Sequence, residues 1–121
     1  CLHGRALCAD KTTGTLQYVV NGTVQYVFQA RFGRPGFDTT EGVQPVLRKV
    51  LDEVSRPYNN SPMPFAIYFT DSGEAVHFSA DFLADSNPEG SHGCVNIKDY
   101  QGLAWVYNQV QVGDQVVVYR S

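Results

Sequence analysis

Leu16-Gln17-Tyr18-Val19-Val20-Asn21-Gly22-Thr23-Val24-Gln25-Tyr26-Val27-Phe28 is the stretch that decides the fold. Two runs rich in β-branched and aromatic residues flank Asn21-Gly22, and both central residues of a two-residue hairpin turn need positive φ, which asparagine and glycine adopt at little cost. Residues 15–31 therefore read as a β-hairpin. Downstream, residues 32–42 carry Gly33, Pro35, Gly36, Thr39 and Thr40 and read as an ordered loop. Residues 43–54 fit two periods: Val46, Leu47, Val50, Leu51 and Val54 make a helical stripe, but Pro45 and the β-branched content favour strands, which is the expectation.

Further on, a loop rich in asparagine, serine and proline at 56–64 precedes the apolar strand 65–70. Asp71-Ser72-Gly73 turns the chain into a return strand, 74–78, with His77 near its exit. Residues 79–90 are irregular, with one helical turn around Phe82 and Leu83 and an Asn87-Pro88-Glu89-Gly90 turn leading into Ser91. Asp99 caps a helix whose Leu103, Val106, Tyr107 and Val110 recur at helical spacing. After Val112-Gly113-Asp114, residues 116–119 form a buried closing strand. The expected class is all-β, with seven or so strands and one helix near the C-terminus.

At 121 residues the chain has room for one core, so residues 1–121 are expected to be a single domain. A net charge of −3, with the nine basic residues scattered, gives nucleic acid nothing to bind. No apolar run reaches the roughly 18 to 20 residues of a membrane span. The chain starts on Cys1 without methionine or signal peptide, as expected of a mature or trimmed piece of a longer precursor.

The three cysteines are not equivalent. Pairing Cys1 with Cys8 closes a short loop worth about 2.5 kcal/mol by chain entropy and leaves Cys94 free. It requires a bend, because a disulfide tolerates a Cα separation of only about 4.4 to 6.8 Å. Two alternatives stand beside it: Cys8 as a small buried strand residue with Cys1 a frayed terminus, or Cys1 as the lipid-bearing first residue of a lipoprotein.

The chemistry lies in Ser91-His92-Gly93-Cys94-Val95-Asn96 and in His77. A thiol with an ordinary pKa near 8.5 is only about 3% ionised at pH 7, and an imidazolium partner that lowered it to about 6 would ionise roughly 90%. His77 reaches in from another strand, whereas His92 lies two residues from Cys94, a spacing at which side chains diverge. His77 is thus the expected base and acid, and Cys94 the nucleophile. Gly93 permits unusual dihedrals and close backbone approach, and amides around it can donate to an oxyanion. No acidic residue beside His77 can fix its tautomer, which leaves a backbone carbonyl such as that of Phe78.

Taken singly, a cysteine after glycine is also a small core residue in many folds, and a strand-end histidine a surface one. Zinc is the competing chemistry, with His77, His92 and Cys94 as ligand types, but two ligands two residues apart on extended backbone converge poorly on one ion. His3 reads as a bystander.

The Ser-His-Gly-Cys-hydrophobic-Asn block, with a histidine at this distance upstream, resembles the signature of the YkuD-type L,D-transpeptidases. The early hairpin, the loop at 39–42, the strand pair before His77 and the closing strand resemble that family's layout across nearly the whole chain. The resemblance implies a twisted β-sandwich or open barrel with one short helix, acting in the bacterial cell envelope or outside it. It implies that Cys94 attacks the third residue of a tetrapeptide stem of peptidoglycan, with His77 moving the proton and D-alanine leaving. An acceptor amine then resolves the thioester into a cross-link, or water does so as a carboxypeptidase reaction. Ser91, His92 and Asn96 would support the cysteine turn, Phe65 and Tyr68 would line the cleft, and a carbapenem would acylate Cys94. No cofactor or metal is implied. The readings from other classes are a zinc-binding hydrolase domain and an inactive wall-binding module.

Overall fold

The computed structural model describes residues 1, 4–34, 36–55, 61–84 and 93–121. The hairpin forms as the turn chemistry requires: β2 (Thr15–Val20) and β3 (Thr23–Arg31) are joined by Asn21 at φ 49° and Gly22 at φ 81°. Tyr18 opposes Tyr26 but Val19 opposes Val24, so Gln25 is the extra residue of a bulge. β1 (Arg5–Asp10) pairs antiparallel with β2 and, on its other edge, parallel with the C-terminal β9 (Gln115–Tyr119). Cys1 is bridged to Cys8 on β1 with the Cα atoms 6.3 Å apart, and Gly4 at φ 66° supplies positive-φ backbone inside that bend.

The ambiguous segment is strand, divided into β4 (Gly42–Pro45) and β5 (Arg48–Ser55). With β6 (Ser61–Tyr68), β7 (Ala75–Phe78) and β8 (Val95–Ile97) the order across one sheet is β4-β9-β1-β2-β3-β8-β7-β6-β5. The two edge strands are consecutive in the chain, separated by Val46 and Leu47 alone. Backbone advances at most ~3.6 Å per residue, so the sheet's edges meet within about 11 Å at that point and the sheet curls into an open barrel. The seam is held on both sides: Val46 N–H donates to Asp114 O, Gly113 N–H to Val46 O, and Leu47 N–H to Tyr68 O, each at 2.8 Å.

Nine strands, rather than about seven, are found among the described residues; β4 and β8 are four and three residues long, too short to show a period. Residues 61–64, expected as loop, belong to β6, with Pro62 and Pro64 opposite Val54 and Asp52. β7 pairs with β6 only at Ile67 and Tyr68, so the prolines lie where β6 has a single partner and a missing N–H is tolerated. Residues 56–60 and the expected 87–90 turn lie outside the described residues.

One face of the curled sheet carries the main core, including Leu16, Phe28, Ile67 and Val95, and packs on Leu103 and Val106 of α2 (Tyr100–Gln109). Asp99 caps α2 by accepting from Gly102 N–H at 2.9 Å. Lys49 Nζ donates to Tyr107 O at 2.6 Å and Val110 O at 2.7 Å, satisfying carbonyls at the helix's C-terminal end. The helical turn expected around Phe82 is α1 (Ala80–Leu83), capped by Ser79. Among the described residues no helix is long and apolar enough to cross a membrane.

Candidate active site

β7 and β8 run parallel as neighbours, with Val76 opposite Val95, His77 opposite Asn96 and Phe78 opposite Ile97. Side chains alternate faces along a strand, so Val76, Val95 and Ile97 point into the main core with α2. His77 and Asn96 take the other face, and so does Cys94, two residues ahead of Asn96. There Cys94 packs against a small cluster of Met63, Ala66, Tyr68 and Ala75. The thiol and the imidazole come from adjacent strands and share one face. Cys94 is in no disulfide, the other two cysteines being bridged to each other.

His77 is buried, and its Nδ1 lies 2.7 Å from the carbonyl oxygen of Phe78. A carbonyl has no proton to give, so Nδ1 carries the hydrogen and Nε2 the lone pair. Burial pulls the imidazole down to about 4; the Phe78 carbonyl opposes this and Arg31 adds to it. Burial also raises the half-buried Cys94 thiol, against a backbone hydrogen bond with Ala75 and with Glu74 adding negative potential. The resting pair is therefore neutral thiol and neutral imidazole, not the thiolate and imidazolium expected from the sequence. Desolvation penalises both charged forms and neither partner is well solvated.

Gly93 stands at φ 115°, a backbone region that disfavours side chains, and a Cβ there would lie 3.3 Å from Glu74 Cγ. Its carbonyl accepts from Thr39 Oγ1 at 2.8 Å, and Thr39 Oγ1 in turn accepts from Gly33 N–H at 3.0 Å. Thr39 is only 1% exposed, so this hydroxyl is a buried rivet between the loop at 32–42 and the cysteine turn. The carboxylate of Glu74 accepts from Thr40 N–H at 2.7 Å and Thr40 Oγ1 at 2.6 Å. Two loops distant in sequence thereby hold the turn that presents Cys94.

Sequence reading missed Thr39, Thr40, Glu74 and Arg31. The available signals were a threonine pair in a glycine-rich loop and a carboxylate three residues ahead of His77. Tyr68 faces the Cys94 side, its hydroxyl donating to Glu53 at 2.8 Å and its ring 3.9 Å from the Arg48 guanidinium. Phe65 does not: it packs in the main core against the rings of Tyr100 and Tyr107, at 5.0 and 5.6 Å. Ser91, His92 and His3 lie outside the described residues. Among the described residues no three of histidine, cysteine, aspartate and glutamate stand together as a metal site.

A thiol outside any disulfide and an imidazole bonded to its neighbour's carbonyl, on one face of a curled β-sheet, are the groups that a cysteine–histidine acyl-transfer site requires. The chain belongs to the YkuD family of L,D-transpeptidase catalytic domains, whose model matches residues 4–118. Among solved structures it is similar to an L,D-transpeptidase from Mycobacterium smegmatis, at 27% identity and TM-score 0.83 over 94% of this chain and 58% of that one. An L,D-transpeptidase from Stackebrandtia nassauensis matches at 27% identity and TM-score 0.84, over 99% of this chain and 58% of that one. The L,D-transpeptidase LdtMt1, solved in complex with imipenem, matches at 26% identity and TM-score 0.83, over 95% and 58%. The chain thus spans 58% of the length of these relatives. Among curated proteins none matches it.

Proposed function

We propose that this chain is the catalytic domain of an exported bacterial enzyme that joins peptidoglycan stem peptides by L,D-transpeptidation. The observation that supports this reading is that Cys94, outside any disulfide and just ahead of β8, lies on the same sheet face as His77 of the adjacent β7. In the first half-reaction Cys94 Sγ attacks the carbonyl of the third stem residue while His77 Nε2 takes the thiol proton. Backbone N–H groups at Gly93 and Cys94 receive the developing oxyanion. The C–N bond then breaks, the proton passes from His77 to the departing D-alanine amine, and a thioester remains. In the second half-reaction an acceptor amine attacks the thioester and gives its proton to His77, which returns it to the Cys94 sulfur. Water in place of the amine makes the same site a carboxypeptidase.

The Phe78 carbonyl accepts from Nδ1–H and favours the neutral tautomer with its lone pair on Nε2. Tyr68 lies beside the nucleophile. The imipenem complex of LdtMt1 supports carbapenem acylation of Cys94, and the Cys1–Cys8 bridge fits an oxidising compartment.

Intact-protein mass spectrometry tests the reading. Wild type should gain one imipenem and, with a tetrapeptide stem, release D-alanine; Cys94→Ser should do neither. A wild-type protein that forms no adduct and releases no D-alanine would overturn the proposal.

A further inference from the structure

β3, β8 and β7 are neighbours, and their registers place Arg31, Asn96 and His77 in one row across the sheet, Arg31 opposite Asn96 and Asn96 opposite His77. Asn96 is 4% exposed, and a buried amide needs partners at both ends. In the orientation that satisfies both, its oxygen accepts from Arg31 Nη2 at 3.1 Å and Nε at 3.3 Å, and its nitrogen donates to His77 Nε2 at 3.2 Å. The amide's direction is thus set by a guanidinium, which has donors only and does not lose its proton. At the other end of the ring, Nδ1 gives its proton to the Phe78 carbonyl. Both imidazole nitrogens are then specified, one by an acceptor and one by a donor. Arg31 itself is steadied by α1, its guanidinium 5.2 Å from the Phe82 ring centre.

We propose that Arg31 is a positioning residue for His77, acting through Asn96 to fix the imidazole's orientation and its Nδ1-protonated tautomer. The proposal rests on the reading of His77 as the base for Cys94, and it adds a consequence for both proton transfers. While His77 is neutral, the Asn96 N–H faces a lone pair and is satisfied. For Nε2 to take the thiol proton the Asn96 N–H must release that lone pair, and the arginine charge then faces an imidazolium. The row therefore disfavours the protonated ring, which makes uptake of the thiol proton harder and its delivery to the leaving amine easier by the same factor. Among the described residues the ring's other neighbours do not compete with this effect. Cys94, ahead of β8, is raised toward its neutral thiol, and Glu74, at the entry to β7, acts on Cys94. Tyr68 on β6 is neutral at pH 7, and the tyrosines of α2 lie against the opposite face. Arg31 is the formal charge that acts on His77 among the described residues.

Ring nitrogen and carbon NMR of isotopically labelled histidine reads tautomer and titration midpoint directly, and the chain has only three histidines to assign. Wild type should show the Nδ1–H tautomer alone. In Arg31→Met a mixture of tautomers is expected, with the midpoint moved upward so that proton affinity rises by roughly tenfold. Arg31→Lys, which keeps the charge, should hold the midpoint near the wild-type value. Should Arg31→Met fail to fold, Asn96→Ala cuts the row at its middle and is expected to give the same mixture. An unchanged tautomer and midpoint in whichever of these two variants folds would overturn the inference. These spectra need no turnover, so a failure of imipenem to acylate Cys94 would count against the proposed activity and leave this result standing.

Discussion

At Cys94 and His77 the surroundings oppose charge on both side chains, so each rests neutral at pH 7. For the acid side of the pH profile the sign follows directly: His77 accepts a proton only when neutral, and its folded-state value lies at about 4. Imipenem acylation should stay flat from pH 7 down to about 5 and fall roughly tenfold per unit below 4. His77→Gln should lose about 10²- to 10⁴-fold at every pH. Stopped-flow acylation rates across pH 3.5 to 8 check both. Glu74 gives a second, opposite-signed test. Its negative potential raises the thiol, so Glu74→Gln should increase alkylation of Cys94 by neutral iodoacetamide at pH 7 by a few-fold, read as a second-order rate constant. A slower thiol in a folded Glu74→Gln protein would mean that the carboxylate's grip on Thr40 matters more than its charge.

Among the elements, the loop at 32–42 and the turn before β8 behave as one unit because Thr39 bonds to both. Thr39→Val keeps the volume and removes the hydroxyl, leaving the Gly33 N–H and the Gly93 carbonyl without that partner. The expected cost is about 2 to 4 kcal/mol of stability, with imipenem acylation at least tenfold slower, measured by urea denaturation and by mass spectrometry. What was legible beforehand follows the range of each interaction. The Asn21-Gly22 hairpin and the Asp99 cap are local, and both could be read from neighbouring residues. Cys94 and His77 could be singled out as a candidate pair because thiol chemistry demands a basic partner, and the register of β7 and β8 puts them on one face. Thr39 and Thr40 could not, since their partners lie 54 and 34 residues away and a threonine pair looks the same in any loop. Phe65 was misread for another reason. It sits at φ 59°, a region an aromatic residue rarely adopts, and there the alternation of β6 slips, so that Met63 and Ala66 share the Cys94 face while Phe65 turns to α2. No period-2 pattern announces such a slip.

Over the whole molecule, a sheet whose edges meet at Val46 and Leu47 buries one continuous core on one face, and the site lies on the other. The pH range of maximal stability follows from three titratable groups. His77 titrates at about 4 in the fold against 6.5 for the ordinary side chain, so its contribution is complete above about 6.5 and is lost as pH falls toward 4, roughly 3 kcal/mol in all. Tyr68 is pushed up to about 12 by burial and by Glu53, so its contribution is complete below 10 and is lost as pH rises toward 12. The half-buried Cys94 thiol, also raised, begins to lose its contribution at the ordinary thiol value near 8.5, so chemical denaturation should show a plateau between about pH 6.5 and 8.5. The Cys1–Cys8 bridge acts on β1, which sits between β9 and β2, on the outer face where Cys8 packs with Ala6 and Val19. Cys1→Ser opens it without placing a hydroxyl in the sheet, because Cys8 remains a thiol in its buried position. Loss of a loop this short removes about 2.5 kcal/mol of chain-entropy stabilisation, or roughly 10 °C in Tm for a chain of this size. Because the bridge and Cys94 belong to separate packing clusters, the same variant should take up imipenem at the wild-type rate at 25 °C. A fall in that rate alongside Tm would show that β1 and the cysteine turn are coupled through the curled sheet.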